Sequence, residues 1–259
     1  TKNPYDNAGY MDIAPDDRGE NIRREICLTL EQMGIYPERS HHEQGPGQNE
    51  IDFRYSDPLT AADNAMTFQT VVKTVAGCNG LIADFSPKPL ADKPGNGFHI
   101  NISAKADDNS DYLHQIIAGI LAKVCDMTLF LNPLNCSYQR FGNDKAPQYI
   151  SWSSENRSQL IRIPAAVGKY RRAELRSPDP TANSYLAFAL MIYAGLYGIQ
   201  NHLQLAEPTD INLYKANADV LSKFKMLPSS LKDACESALN SDFIKQHIPN
   251  EILEIYCNR

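Results

Sequence analysis

In the segment FHINIS, His99, Asn101 and Ser103 recur at every second position, with Phe98, Ile100 and Ile102 between them. A strand sends alternate side chains to opposite faces, so this one offers imidazole, amide and hydroxyl on one side and an apolar surface on the other. YRRAELR repeats the pattern, with Arg172, Glu174 and Arg176 opposite Ala173 and Leu175. A one-sided sheet with a solvated face gives the same alternation. Solvated faces, however, seldom choose His and Arg so consistently over Lys, Glu and Thr. Glu43, Glu50, His99 and Glu174 supply carboxylate and imidazole donors suited to Mg2+ or Mn2+, ions that complete their shells with phosphate oxygens or water. Arg140, Arg157, Arg162, Arg172 and Arg176 match phosphate and carboxylate bidentately. Metal donors beside arginines point to phosphoryl transfer, where catalysis is positioning and charge neutralisation. His41 and His42 read as structural or solvent-facing. No GxxxxGK[ST] loop occurs, so an ATP site has to be built from the sheet, with the metal donors and arginines on one polar face.

The elements that must carry these groups are legible in outline. Asp16–Gly34 predicts a helix with an aspartate cap, an apolar stripe of Ile22, Ile26, Leu30 and Met33, and Gly34 as its stop. Asn49–Tyr55 alternates as a half-buried strand. A helix after Pro58 carries Ala65, Phe68, Val72 and Val75 and ends at Gly77 and Gly80. A short strand is expected at Leu81–Phe85 and another amphipathic helix over 110–125. The long loop NPLNCSYQRFGNDKAPQYISWS has the length of a functional one. Two strands, SQLIRIP and YRRAELR, lead into a helix of small and apolar residues over Ala182–Ile199, and a helical tail follows from about 208 to 259. Strands and helices do not alternate strictly, which favours an α+β fold with a largely antiparallel sheet.

A chain of 259 residues with 42% hydrophobic content can bury a large core. Its net charge of −6 argues against nucleic acid as the main partner. No run approaches the roughly 18 consecutive apolar residues of a membrane span, and the first 20 residues are not signal-like. The six cysteines are scattered without a CxxC pair, which predicts free thiols and a cytoplasmic location. The chain reads as a piece of something longer, since it begins at Thr1 without an evident first element.

SHHEQGPGQNEID, KPLADKPGNGFHINIS and ENRSQLIRIPAAVGKYRRAELRSPDPTANSYLAFAL resemble glutamine synthetase of type I, and the likeness runs from GYMDIAP to NLY and beyond. The resemblance implies a curved, largely antiparallel sheet flanked by helices, of the glutamine synthetase/guanido kinase type, over residues 1–259. It implies that Glu43 and Glu50 hold one metal ion and His99 and Glu174 a second. Gly95, Arg140, Arg176 and Tyr10 fall at the glutamate site, and Arg157 and Arg162 face the transferred phosphoryl group. Glu38, Tyr55, Asn101, Ser103, Lys169 and Arg172 fall at the nucleotide. The implied activity joins glutamate to ammonia at the expense of ATP, in a ring of twelve subunits. An ExE strand and a small β-domain that the family places upstream are not in the sequence, which implies weak metal affinity and little turnover for these residues alone. Where the family carries a flap glutamate before Ala-Pro, Lys145 stands before Ala146 and Pro147, and a charged lysine accepts no proton. A γ-glutamyl ligase for another amine, such as a polyamine, and a non-catalytic homologue remain open beside the first reading. Tyr214 sits where some bacterial members are adenylylated.

Overall fold

A computed structural model describes residues 3–104, 110–143, 145–165 and 171–258. It divides into two compact units, the first running to Phe85 and taking in Pro89–Gly95, the second made of Ser86–Lys88 and the residues from Asn96 onward.

The first unit is built on α1 (Glu20–Gln32), α2 (Pro58–Cys78) and a hairpin of β1 (Pro37–His42) and β2 (Asn49–Phe53). Ile26 and Leu30 of α1 pack with Ile35 and with Val71 and Val75 of α2, while Met33 is exposed. α1 starts later than the sequence suggests and has no side-chain cap. Asp16 and Asp17 instead turn back on the Ile13 carbonyl, and Asp17 spends its carboxylate on the Gly19 amide and the Arg23 guanidinium. Gly34, at φ +81°, ends the helix as expected: its amide bonds to Glu31 and that of Ile35 to Leu30. α2 is capped by Asp57, whose side chain accepts from the Thr60 amide. Gly77 lies inside α2 and only Gly80 closes it, at φ +72°. The expected strand at Leu81–Phe85 does not form. Leu81 donates to Ala76 to finish the helix, and Phe85 packs edge-on against Phe68, so the segment lies along α2 with no strand to pair with.

The second unit holds the larger core. Its sheet runs β3 (Ile100–Ile102), β6 (Ala173–Leu175), β5 (Ile161–Arg162), β4 (Trp152–Ser153) in spatial order, antiparallel except for the last pair. The polar groups therefore lie on two separate sheets and not on one face: Glu50 is on the hairpin and Glu43 just past its first strand, whereas Glu174 is on the four-stranded sheet. Period-two patterning tells which face a residue takes, not which strands pair. α3 (Leu113–Leu131) extends the 110–125 expectation and packs on α4 (Ser184–Gln200). On length and composition alone α3 could cross a membrane, but most of that stretch is buried within the fold. The long loop contains a 3-10 turn at Asn135–Arg140 and β4. The tail forms α5 (Ala218–Leu221), α6 (Leu231–Leu239), α7 (Asp242–His247) and α8 (Asn250–Cys257).

Glycines set the spacing of α3 and α4. A Cβ on Gly119 would lie 2.0 Å from the Ala194 carbonyl oxygen, and one on Gly198 2.0 Å from that of Gln115. The two backbones thus touch without intervening side chains.

Two of the six cysteines are not free thiols. Cys235 of α6 and Cys257 of α8 form a disulfide, with Cα atoms 5.5 Å apart. The 22-residue spacing carries no motif, and only the packing of α8 on α6 brings them together. Ser241 fastens the same region, accepting from the Ile244 amide at the start of α7 and donating to Asp126 of α3 at 2.8 Å. Ser241→Ala is expected to cost about 1–2 kcal/mol in urea denaturation.

Candidate active site

In the first unit, the loop between β1 and β2 is pinned from below. His42 is fully buried, with Nε2 at 2.9 Å from Asp6 Oδ1 and Nδ1 at 2.6 Å from the Glu43 carbonyl. Asp6 also accepts from the amides of Gly47 (2.8 Å) and Arg18 (3.1 Å). Gly47 sits at φ +61°, and a Cβ there would press on the Tyr5 backbone at 3.1 Å, so this turn requires glycine. Asp6, Asp17 and His42 lie close enough to hold a cation. Their acceptors are already taken, however, because Arg23 grips Asp17 at 2.6 and 3.0 Å.

The other face of the hairpin differs. His41 and Glu50 are direct cross-strand partners, and Glu43 follows at the strand end; their donor atoms lie within 4.8 Å of one another. Burial, with the charges of Asp52 and Glu43 added, pushes the Glu50 carboxyl up to about 8. Carboxylates that crowd in this way are relieved by a cation. Tyr10 sets its ring edge to face on His41, centroids 5.6 Å apart. Gly95 belongs to this unit and accepts from the Gln48 side chain at 3.0 Å. Glu38 and Tyr55 lie toward the opposite end of the hairpin from Glu43 and Glu50, both exposed.

In the second unit, Glu174 occupies an inner strand and is buried, so the expected solvated face is absent at this position. Its Oε2 accepts from Arg162 Nε at 2.6 Å, and its Oε1 from Arg176 Nη1 at 2.9 Å and from His99 Nδ1 at 3.2 Å. Burial alone would raise this carboxyl, but His99, Arg176 and Arg162 hold it well below the usual carboxylate range. Burial and the nearby Arg176 charge push the His99 imidazole down, against the pull of Glu174. A neutral His99 that donates from Nδ1 keeps a lone pair on Nε2. Gly97 leaves the space beside that atom: a Cβ at Gly97 would stand 2.9 Å from it. The only mark of this role in the sequence is a glycine standing two residues before a candidate ligand.

Arg140 is buried and points its guanidinium at the carbonyls of Ser177 (3.0 Å) and Pro178 (3.4 Å). Desolvation brings it down to about 10, and Nε has no hydrogen-bond partner among the described residues. Arg176 donates a second bond to the Lys145 carbonyl at 3.3 Å. Lys145 itself takes a left-handed φ of +68°, a conformation unusual for a side-chain-bearing residue. Arg172 donates to Asn101 at 3.0 Å. Arg157 is exposed, with its charge felt at Arg176, and Ser103 is exposed just beyond β3. Lys169 lies outside the described residues.

The family model for the catalytic domain of glutamine synthetase matches residues 1–259. The chain belongs to that family. Glutamine synthetases of Staphylococcus aureus and Clostridium saccharobutylicum are 43% and 42% identical over 98% and 99% of the chain. The chain spans about 60% of the length of these relatives. Among solved structures, an ADP complex of GmaS superposes with a TM-score of 0.88 at 28% identity, covering 99% of this chain and 63% of that one. A Plasmodium falciparum glutamine synthetase shares the fold at a TM-score of 0.84 and 23% identity, over 98% of this chain and 60% of the other. The α+β fold is thus that of the glutamine synthetase catalytic domain. In this domain, Gly97→Ala is expected to displace the His99 ring, read as a changed chemical shift of its ring protons with an unchanged circular dichroism spectrum.

Proposed function

We propose that the protein is a glutamate–ammonia ligase, joining glutamate and ammonia to glutamine with ATP and Mg2+ or Mn2+. The observation that carries this reading is the buried Glu174 carboxylate, ringed by Arg162, Arg176 and His99 in a chain of glutamine synthetase descent. Such an array can take up phosphate charge when guanidinium partners turn from Glu174 to a ligand.

The donor set of the first unit fits a divalent ion: two crowded carboxyls face the His41 Nε2, a buried atom without a hydrogen-bond partner among the described residues. Glu174 has its acceptor positions filled, and it admits a cation only by releasing one of its present partners. When bound, the metal supplies charge neutralisation and Lewis acidity. The γ-carboxylate of glutamate attacks the terminal phosphorus of ATP, and ADP leaves. Ammonia then attacks the carbonyl carbon of the γ-glutamyl phosphate, expelling phosphate and losing a proton to water. Arg162 and Arg157 neutralise charge on the transferred group, while Arg140 and Arg176 hold the glutamate carboxylate. Glu38, Tyr55, Asn101, Ser103, Lys169 and Arg172 hold the nucleotide; the ADP bound in the GmaS structure supports this reading. Gly95 and Tyr10 border glutamate. Lys145 acts as a positioning residue, since it is its carbonyl that meets Arg176. A homo-oligomeric ring of twelve is the assembly expected, to be checked by analytical ultracentrifugation.

The test is phosphate release from ATP with Mg2+ and glutamate, with ammonium or a polyamine as the amine. Release that depends on ammonium is expected. Release with the polyamine alone would replace the substrate assignment. Absence of metal-dependent nucleotide binding in calorimetry would instead indicate a non-catalytic homologue.

A further inference from the structure

We propose that His41 is a nitrogen donor to the cation held by Glu43 and Glu50, an assignment that rests on the metal reading above. β1 and β2 place His41 directly across from Glu50, and cross-strand partners on one face have Cβ atoms only about 5 Å apart. The His41 Nε2 is buried and has no hydrogen-bond partner among the described residues, and it lies 3.7 Å from Glu43 Oε1. That separation is too long for a hydrogen bond. It is, however, short enough for the two atoms to share one ion at about 2.0–2.2 Å from each. The ring is held against Tyr10, which meets it edge to face.

The neighbouring histidine makes the contrast. His42 engages both ring nitrogens, with Asp6 and with the Glu43 carbonyl, and serves as an anchor. Strand parity sends His41 to the opposite face, where its Nε2 meets the carboxylates of Glu43 and Glu50. Two carboxylates and an imidazole form a mixed donor set. Mg2+ prefers oxygen alone, while imidazole suits Mn2+ and later first-row ions. His41 accordingly tilts this position toward Mn2+ and away from Mg2+.

The test uses pulsed electron paramagnetic resonance of bound Mn2+ in the His99→Asn protein, which lacks the other imidazole assigned to a metal. Nitrogen hyperfine coupling from a directly bound imidazole is expected there and should vanish in the His41→Gln/His99→Asn protein. Calorimetry of His41→Gln should show the ratio of Mn2+ to Mg2+ affinity falling at least about tenfold. If His99→Asn binds Mn2+ in a manner abolished by Glu50→Gln, yet shows no nitrogen coupling, His41 is not a ligand and the assignment is overturned. If Mn2+ binding is unaffected by Glu50→Gln, the cation reading of this hairpin fails and takes the assignment with it. The His99→Asn spectrum alone decides the point if the double variant does not fold.

Discussion

Glu174→Gln is expected to lower the stability of the protein by about 3–5 kcal/mol at neutral pH, because it leaves buried guanidinium charge without its counter-ion. Arg176 is as buried as the carboxylate it pairs with, and Arg162 is largely covered. The glutamine amide can accept from one of these arginines but cannot neutralise either. The pH dependence follows from the depressed carboxyl. In the unfolded chain this group takes a proton near pH 4.3, whereas in the folded state it stays ionised to well below that. Its contribution is therefore fully present above the unfolded value and is lost as the pH falls toward the folded one. Urea denaturation of wild type and variant should show a constant gap from about pH 5.5 upward, narrowing steadily in more acidic solution. A gap independent of pH between 6 and 3, on that same scale, would show that the charge of Glu174 is not what the site depends on.

Gly119→Ala should be more damaging still. The added methyl would meet the Ala194 carbonyl oxygen at 2.0 Å and the Gly198 amide nitrogen at 2.7 Å, and both are backbone atoms that cannot rotate away. Relief requires α3 and α4 to separate, and these helices carry much of the large core, including Ile116, Ile117, Ile120, Leu190 and Met191. A cost beyond about 4 kcal/mol is expected, seen as loss of the cooperative thermal transition. Gly34→Ala is the control for backbone strain without a clash, since its open surroundings hold nothing within 4 Å; its left-handed φ should cost only about 1–2 kcal/mol. If Gly119→Ala unfolded with the wild-type midpoint, the close approach of the two helices would be refuted.

Much of this architecture was readable in the chain. The alternation in FHINIS correctly placed Ile100 inside and Asn101 outside, because a residue's parity on a strand survives even when the strand is short. The apolar stripe of α1 likewise held at Ile26 and Leu30. What the sequence could not convey was partnership. RAELR looks like a strand with one wet face, but its inner position in the sheet buries Glu174 with its arginines. The pair His41 and His42 looks uniform until Asp6, far upstream, claims one ring and leaves the other with Glu43 and Glu50. The disulfide was hidden for the same reason: Cys235 and Cys257 become neighbours only when α8 docks on α6. The glycines of α3 and α4 were visible as small residues, but nothing local announced a contact between two backbones.

Asp6 reaches His42 and Gly47 across 36 and 41 residues of chain. An intact tether keeps such partners at an effective concentration on the order of millimolar. A single proteolytic nick within exposed residues between them would leave every hydrogen bond of the clasp chemically available, yet would turn it into an encounter between two fragments. In dilute solution the clasp would then open, and the loop carrying Glu43 would lose its anchor without any change to the residues that would bind metal.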